Sequence, residues 1–128
     1  MDMASGQKIL IIDDDARNIF ALTAVLRSKG FTCITATEVG EALHMLEKQH
    51  DINAVLLDMM MPDIDGYEAI PRIKQLETSA ELPVIAVTAQ AMNGDRERCL
   101  AAGADGYVSK PVDIDLLVNL MNELIKKN

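Results

Sequence analysis

The chain is 128 residues long, 49% hydrophobic and a quarter charged, which is the length and balance of one domain able to bury a core. Its 12 basic and 20 acidic residues leave a net charge of −8, which works against direct binding to nucleic acid or to an anionic membrane. No apolar run approaches the roughly 20 residues of a membrane span, Met1 to Gln7 has no apolar signal core, and Cys33 and Cys99 lack metal-ligand spacing, so a cytoplasmic protein with reduced thiols is expected.

Residues 1–7 read as a polar tail and 8–127 as a single domain. Lys8 to Ile12 is a continuous β-branched run, the signature of a strand covered on both faces. Ala16 to Lys29 reads as a helix with Ile19, Leu22 and Leu26 on one face, capped by Asp15 and stopped by Gly30. Phe31 to Ala36 is a second strand, and Glu38 to Gln49 a second helix with Val39, Ala42, Leu43 and Leu46 on one stripe. Ala54 to Leu57 is a third strand. Tyr67 to Leu76 reads as a third helix, which either kinks at Pro71 or begins close to it, because proline removes a helical donor and crowds the preceding turn. Val84 to Val87 is a fourth strand, and Ala91 to Ala102 a fourth helix ended by Gly103. Asp105 to Ser109 is a fifth strand. Asp113 to Lys126 is the last helix, with Leu117, Leu120, Met121 and Leu124 facing inward.

Five strand–helix pairs in strict alternation imply a parallel sheet with helices on both faces. Five are too few for an eight-fold barrel. The expected fold is therefore an open α/β doubly wound five-stranded sheet, and the flavodoxin-like order 2-1-3-4-5 is expected in part from the family resemblance given below. In such a sheet ligands bind outside the carboxyl ends of the strands. There the first strand delivers Asp13, Asp14 and Asp15, the third Asp58, the fourth Thr88 and the fifth Lys110.

Carboxylates at Asp13, Asp14 and Asp58, placed about 5 Å apart, repel by about 3 kcal/mol per pair at an effective dielectric of 20. Such a cluster calls for a cation. Oxygen ligands without a nearby His or Cys point to magnesium or manganese. With the ammonium of Lys110 and the hydroxyl of Thr88, the set is equipped for in-line phosphoryl transfer to the Asp58 carboxylate. An aspartate, threonine or lysine alone in a loop is ordinarily a cap or a solvated residue. Their gathering on one rim is what argues for chemistry.

The stretches "ILIIDDDARN", "AVLLDMMMPDIDGYE" and "LPVIAVTAQAMNGDRERCLAAGADGYVSKPVD" resemble the receiver domains of bacterial two-component response regulators, from about Lys8 to about Lys126. The resemblance implies that Asp58 is the phosphoacceptor. It implies that Asp13, Asp14, Asp58 and the backbone carbonyl of Met60 hold the metal. Thr88 is then the switch hydroxyl, Lys110 the phosphate-binding lysine, Tyr107 the switch aromatic that turns inward, and Lys110–Pro111 a cis peptide.

"DDDARNIFAL" and "KPVDIDLL" look most like receivers carried by hybrid sensor histidine kinases, with a stand-alone receiver as the other possibility. The implied partners are a histidine kinase or a histidine phosphotransfer domain, with neither nucleic acid nor membrane, and a monomer or weak dimer. The implied role is a phosphoacceptor with self-catalysed transfer and autodephosphorylation rather than a turnover enzyme.

Two rivals are disfavoured by single residues. A phosphatase of the haloacid dehalogenase type needs an acid two residues after its nucleophile, where Met60 stands. A flavin module needs a phosphate loop free of the Asp13–Asp14–Asp15 charges. His44, His50 and Tyr67 read as surface or packing residues, Met59 to Met61 as loop packing beside the site, and the "NGDRER" run as either a solvated face or a partner surface.

Overall fold

The computed structural model describes residues 6–61, 66–89 and 94–127, with side chains described as far as Ile125. Five strands, β1 (Lys8–Ile12), β2 (Thr32–Ala36), β3 (Ile52–Asp58), β4 (Val84–Thr88) and β5 (Gly106–Ser109), alternate with five helices. These are α1 (Ala16–Ser28), α2 (Val39–Lys48), α3 (Gly66–Gln75), α4 (Asp95–Ala101) and α5 (Ile114–Lys127). All strand pairs are parallel and their order is β2-β1-β3-β4-β5.

Alternation along the central strands explains why β1, β3 and β4 are apolar over most of their length. Leu10 and Ile12 of β1 pack with Val55 and Leu57 of β3 under Ala42 and Leu46 of α2 and Ile70 and Ile73 of α3. Ile9 and Ile11 turn to the other face, where Leu22 and Leu26 of α1 and Leu117 and Met121 of α5 cover them. Nearly every residue of β1, β3 and β4 is thus buried whichever way it points, while the edge strands β2 and β5 keep exposed or half-buried positions. Leu120 and Leu124 of α5 are partly buried against the same layer.

Helix ends follow the residue types. Asp15 caps α1, its carboxylate accepting from the backbone N–H groups of Arg17 and Asn18. Gly30 and Gly103 follow α1 and α4 with φ of 98° and 114°, the left-handed turn that closes a helix and that side chains with a Cβ avoid. Pro71 lies inside α3, which begins at Gly66 rather than near the proline. A short 3-10 turn, Glu77–Ser79, separates α3 from β4. The start expected for the fourth helix, Ala91, lies outside the described residues. Gly6 and Gln7, read as tail, are tied to the sheet by hydrogen bonds to Gly30 and Thr32.

Candidate functional site

Backbone ladders fix the residues at the carboxyl rim. Beyond β1, the Asp13 N–H donates to the Ala36 carbonyl at 3.0 Å. Asp58 is itself the last residue of β3, and the next N–H, that of Met59, donates to Val87 at 2.8 Å. The Lys110 N–H donates to the Thr88 carbonyl at 2.7 Å. Asp13, Asp58, Thr88 and Lys110 therefore sit on regular sheet or one residue past it, where main-chain bonding holds them. The peptide joining Lys110 to Pro111 is cis.

Asp13, Asp14 and Asp58 come together: one carboxylate oxygen from each lies within 4.8 Å of the others. Asp13 and Asp58 are buried and Asp14 is exposed. Asp13 is oriented by two donors, the Asp15 N–H at 2.9 Å on Oδ1 and the Asn18 side-chain amide on Oδ2. Asp58 Oδ1 accepts the Met60 N–H at 2.9 Å and faces the Lys110 ammonium at 3.6 Å.

These contacts do not neutralise the cluster. Burial pushes the Asp58 carboxyl above its ordinary range and the Asp13 charge adds to this, while the Met60 N–H and Lys110 pull it back only in part. Three carboxylates against one ammonium, with oxygen donors throughout, suit a hard divalent cation.

Thr88, also buried, ends β4 beside them, and its hydroxyl contacts the Met60 sulfur at 3.8 Å. Met60 is half exposed. Tyr107 is on β5, where its hydroxyl donates to Asp95 Oδ2 at 3.1 Å. The residue-type reading passed over two contributors. Asn18 was signalled only by an amide in the first turns of the helix that follows the acidic run. Asp95 lay in a run that reads as either a solvated face or a partner surface, yet it accepts from both Tyr107 and Tyr67. Gln90, two residues past Thr88, lies outside the described residues.

Comparison with known proteins places this arrangement. A family model described as the response regulator receiver domain matches residues 9–122. Sensor histidine kinase RcsC of Escherichia coli (strain K12) is 42% identical over 123 residues, covering 94% of this chain and 13% of RcsC. Histidine kinase 3 of Arabidopsis thaliana is 34% identical over 132 residues, covering 88% of this chain and 13% of the kinase. The chain thus spans about an eighth of the length of these relatives.

Among solved structures, the receiver domain of sensor histidine kinase PA1611 from Pseudomonas aeruginosa PAO1 is 35% identical and superposes with a TM-score of 0.85. The match covers 95% of this chain and 99% of that one, and that protein carries a magnesium ion coordinated in its active site cleft.

Proposed function

We propose that this chain, which belongs to the response regulator receiver domain family, takes a phosphoryl group from a phosphohistidine onto Asp58. It is a receiver domain of a two-component phosphorelay. The observation that carries the Asp58 assignment is geometric. Asp58 is one of two buried carboxylates in the cluster, and it is the one paired with the Lys110 ammonium, beside Thr88 on the same rim.

Asp13, Asp14 and Asp58, with the Met60 backbone carbonyl, would hold Mg2+, or Mn2+ in its place. A bound divalent ion supplies positive charge that offsets the carboxylates and the phosphoryl oxygens. The Asp58 carboxylate needs no base, being already a nucleophile. Its oxygen forms the bond to phosphorus as the phosphorus–nitrogen bond breaks, and the electron pair returns to the imidazole of the donor. Lys110, 3.6 Å from Asp58 Oδ1 before transfer, would pair with a phosphoryl oxygen afterwards. Thr88 would donate its hydroxyl to another oxygen, leaving the Met60 sulfur. Hydrolysis of the acyl phosphate by water would return the domain to its starting state.

The donor is a histidine kinase or a histidine phosphotransfer domain, as the kinase relatives suggest. An apolar groove between α1 and the start of α5 reaches Lys110 and is lined by Ala21, Leu22, Val25, Val112 and Ile114, a surface on which a donor helix would fit. Among the described residues no helix is long and apolar enough to cross a membrane.

The test is direct. Incubation with magnesium and a small phosphodonor should add one phosphate that hydroxylamine removes, and Asp58→Asn should abolish it. Equal labelling of that variant would refute the assignment.

A further inference from the structure

One carboxylate in this molecule serves two phenols. Asp95, the first residue of α4, accepts the Tyr67 hydroxyl of α3 on Oδ1 and the Tyr107 hydroxyl of β5 on Oδ2 at 3.1 Å. The two partners are held unequally. Tyr67 meets α4 a second time, because the Arg98 guanidinium carbon lies 4.2 Å from the centre of its ring. Arg98 is three residues beyond Asp95, so the first turn of α4 grips Tyr67 from both directions.

The acidities agree with this order. The Tyr67 phenol is pushed up to about 12, foremost by its bond to Asp95, whereas the Tyr107 phenol is raised foremost by burial and only then by Asp95. Tyr67 and Tyr107 are the two tyrosines of the chain, which also lacks tryptophan.

We propose that Asp95 is the positioning residue of the switch: its carboxylate, shared between Tyr67 and Tyr107, holds the Tyr107 hydroxyl at α4 until phosphorylation draws the ring away. The inference rests on the phosphoacceptor reading above, in which Tyr107 turns toward the space left by Thr88. That turn breaks the 3.1 Å hydrogen bond to Asp95. The strength of that bond is therefore part of what separates the resting from the switched state, and a change to it shifts the balance between them.

Two variants then have opposite effects. Asp95→Ala removes the acceptor and releases Tyr107, which favours the switched state. Tyr67→Phe keeps a ring beneath Arg98 but removes the competing donor, so that Asp95 becomes a better acceptor for Tyr107 and favours the resting state. A role limited to holding α4 in place would move both variants the same way.

The measurement uses the full chain labelled with carbon-13 at tyrosine Cζ, which gives one resonance per ring. Each is assigned by its phenylalanine variant. Magnesium and beryllofluoride, a phosphate mimic, are then titrated in. In the unaltered protein the Tyr107 resonance should shift on binding while that of Tyr67 stays close to its starting position. Asp95→Ala should move the Tyr107 resonance part of the way before any beryllofluoride is added, and should bind the mimic about five-fold more tightly. Asp95→Asn, which keeps a neutral acceptor and guards against loss of α4, should change binding in the same direction by less. Tyr67→Phe should bind more weakly than the unaltered protein.

Unchanged binding and an unmoved Tyr107 resonance in Asp95→Ala would overturn the latch alone, as would tighter binding by Tyr67→Phe. Failure of the unaltered protein to bind the mimic would overturn the phosphoacceptor reading and the latch with it.

Discussion

At the amino-terminal ends of the strands, charges are matched. The Lys8 ammonium lies 2.7 Å from Asp51, and the Lys8 N–H donates to the Asn53 side chain at 2.9 Å. Lys74 meets Asp105 at 2.5 Å and donates to the Leu82 carbonyl, while the Val84 N–H donates to the same Asp105 carboxylate at 2.8 Å. At the carboxyl-terminal ends, Asp13, Asp14 and Asp58 face one another, and the Lys110 ammonium lies 3.6 Å from Asp58.

The acidities diverge accordingly: Lys8 holds the Asp51 carboxyl below its usual range, while burial and Asp13 push that of Asp58 above it. One rim pairs its charged groups within the chain. The other leaves a deficit of positive charge that a bound cation, and then a phosphoryl group with its new partners, can settle. Stability and function have been assigned to opposite edges of one sheet.

That contrast can be broken at either edge. The largest loss of stability is expected at the matched rim. Asp105→Ala strands the Val84 N–H and leaves the Lys74 ammonium with the Leu82 carbonyl but without its counter-charge, and should cost about 2 kcal/mol in urea unfolding with phosphorylation intact. A cost near zero would mean that the pairing is ornamental.

A smaller effect, about 1 kcal/mol of barrier, is expected beside the acidic rim. Met60 is half exposed and its sulfur orients no water, so Met60→Asn should speed loss of phosphate about five-fold once the donor is removed. Unchanged decay of labelled phosphoprotein would place control of the attacking water elsewhere.

The smallest effect concerns pH, and the two rims should show opposite signs. The folded-state acidity of Asp58 is raised above the ordinary value of 3.8. The stability tied to that group is therefore full below that value and lost as pH rises through the folded pKa. For Asp51, whose folded value is lowered, the contribution is present above 3.8 and lost as pH falls. In metal-free protein, Asp58→Asn should gain on the unaltered chain as pH rises, and Asp51→Asn should lose on it. Unfolding curves across this range check both, and parallel slopes would remove the contrast.

The sequence made the acidic rim more legible than the matched one, and the reason is physical. Strands buried on both faces must be apolar throughout, so Lys8–Ile12 and Val84–Thr88 stand out, and whatever polar residue ends such a run is conspicuous. Asp13, Asp58, Thr88 and Lys110 were found that way, and Asp15 from the chemistry of caps. Lys74 and Asp105 are 31 residues apart, one within a helix and the other read as the first residue of a strand that begins at Gly106, places where a charge reads as solvated. Asp95 was hidden likewise, 28 residues from Tyr67 and 12 from Tyr107. The 3-10 turn escaped notice because three residues carry no periodicity; the Ser79 N–H donates to the Leu76 carbonyl at 3.1 Å and the buried Ser79 hydroxyl to the Ile73 carbonyl at 2.5 Å. Periodicity reports burial; it is silent about which polar partners meet.

The central claim is that the acidic rim trades stability for ligand binding, and thermal unfolding of Asp14→Asn with and without magnesium tests it most directly. Asp14 is the exposed member of the cluster, so its neutralisation relieves repulsion without opening a cavity. Without metal the variant should melt a few degrees above the unaltered protein, a gain of about 1 kcal/mol. With saturating magnesium the order should reverse, because the unaltered site binds the ion more tightly and is stabilised by about 2.7 kcal/mol at a hundred-fold excess over Kd. A variant that melts lower in the absence of metal, and gains as much from magnesium as the unaltered protein, would contradict the account.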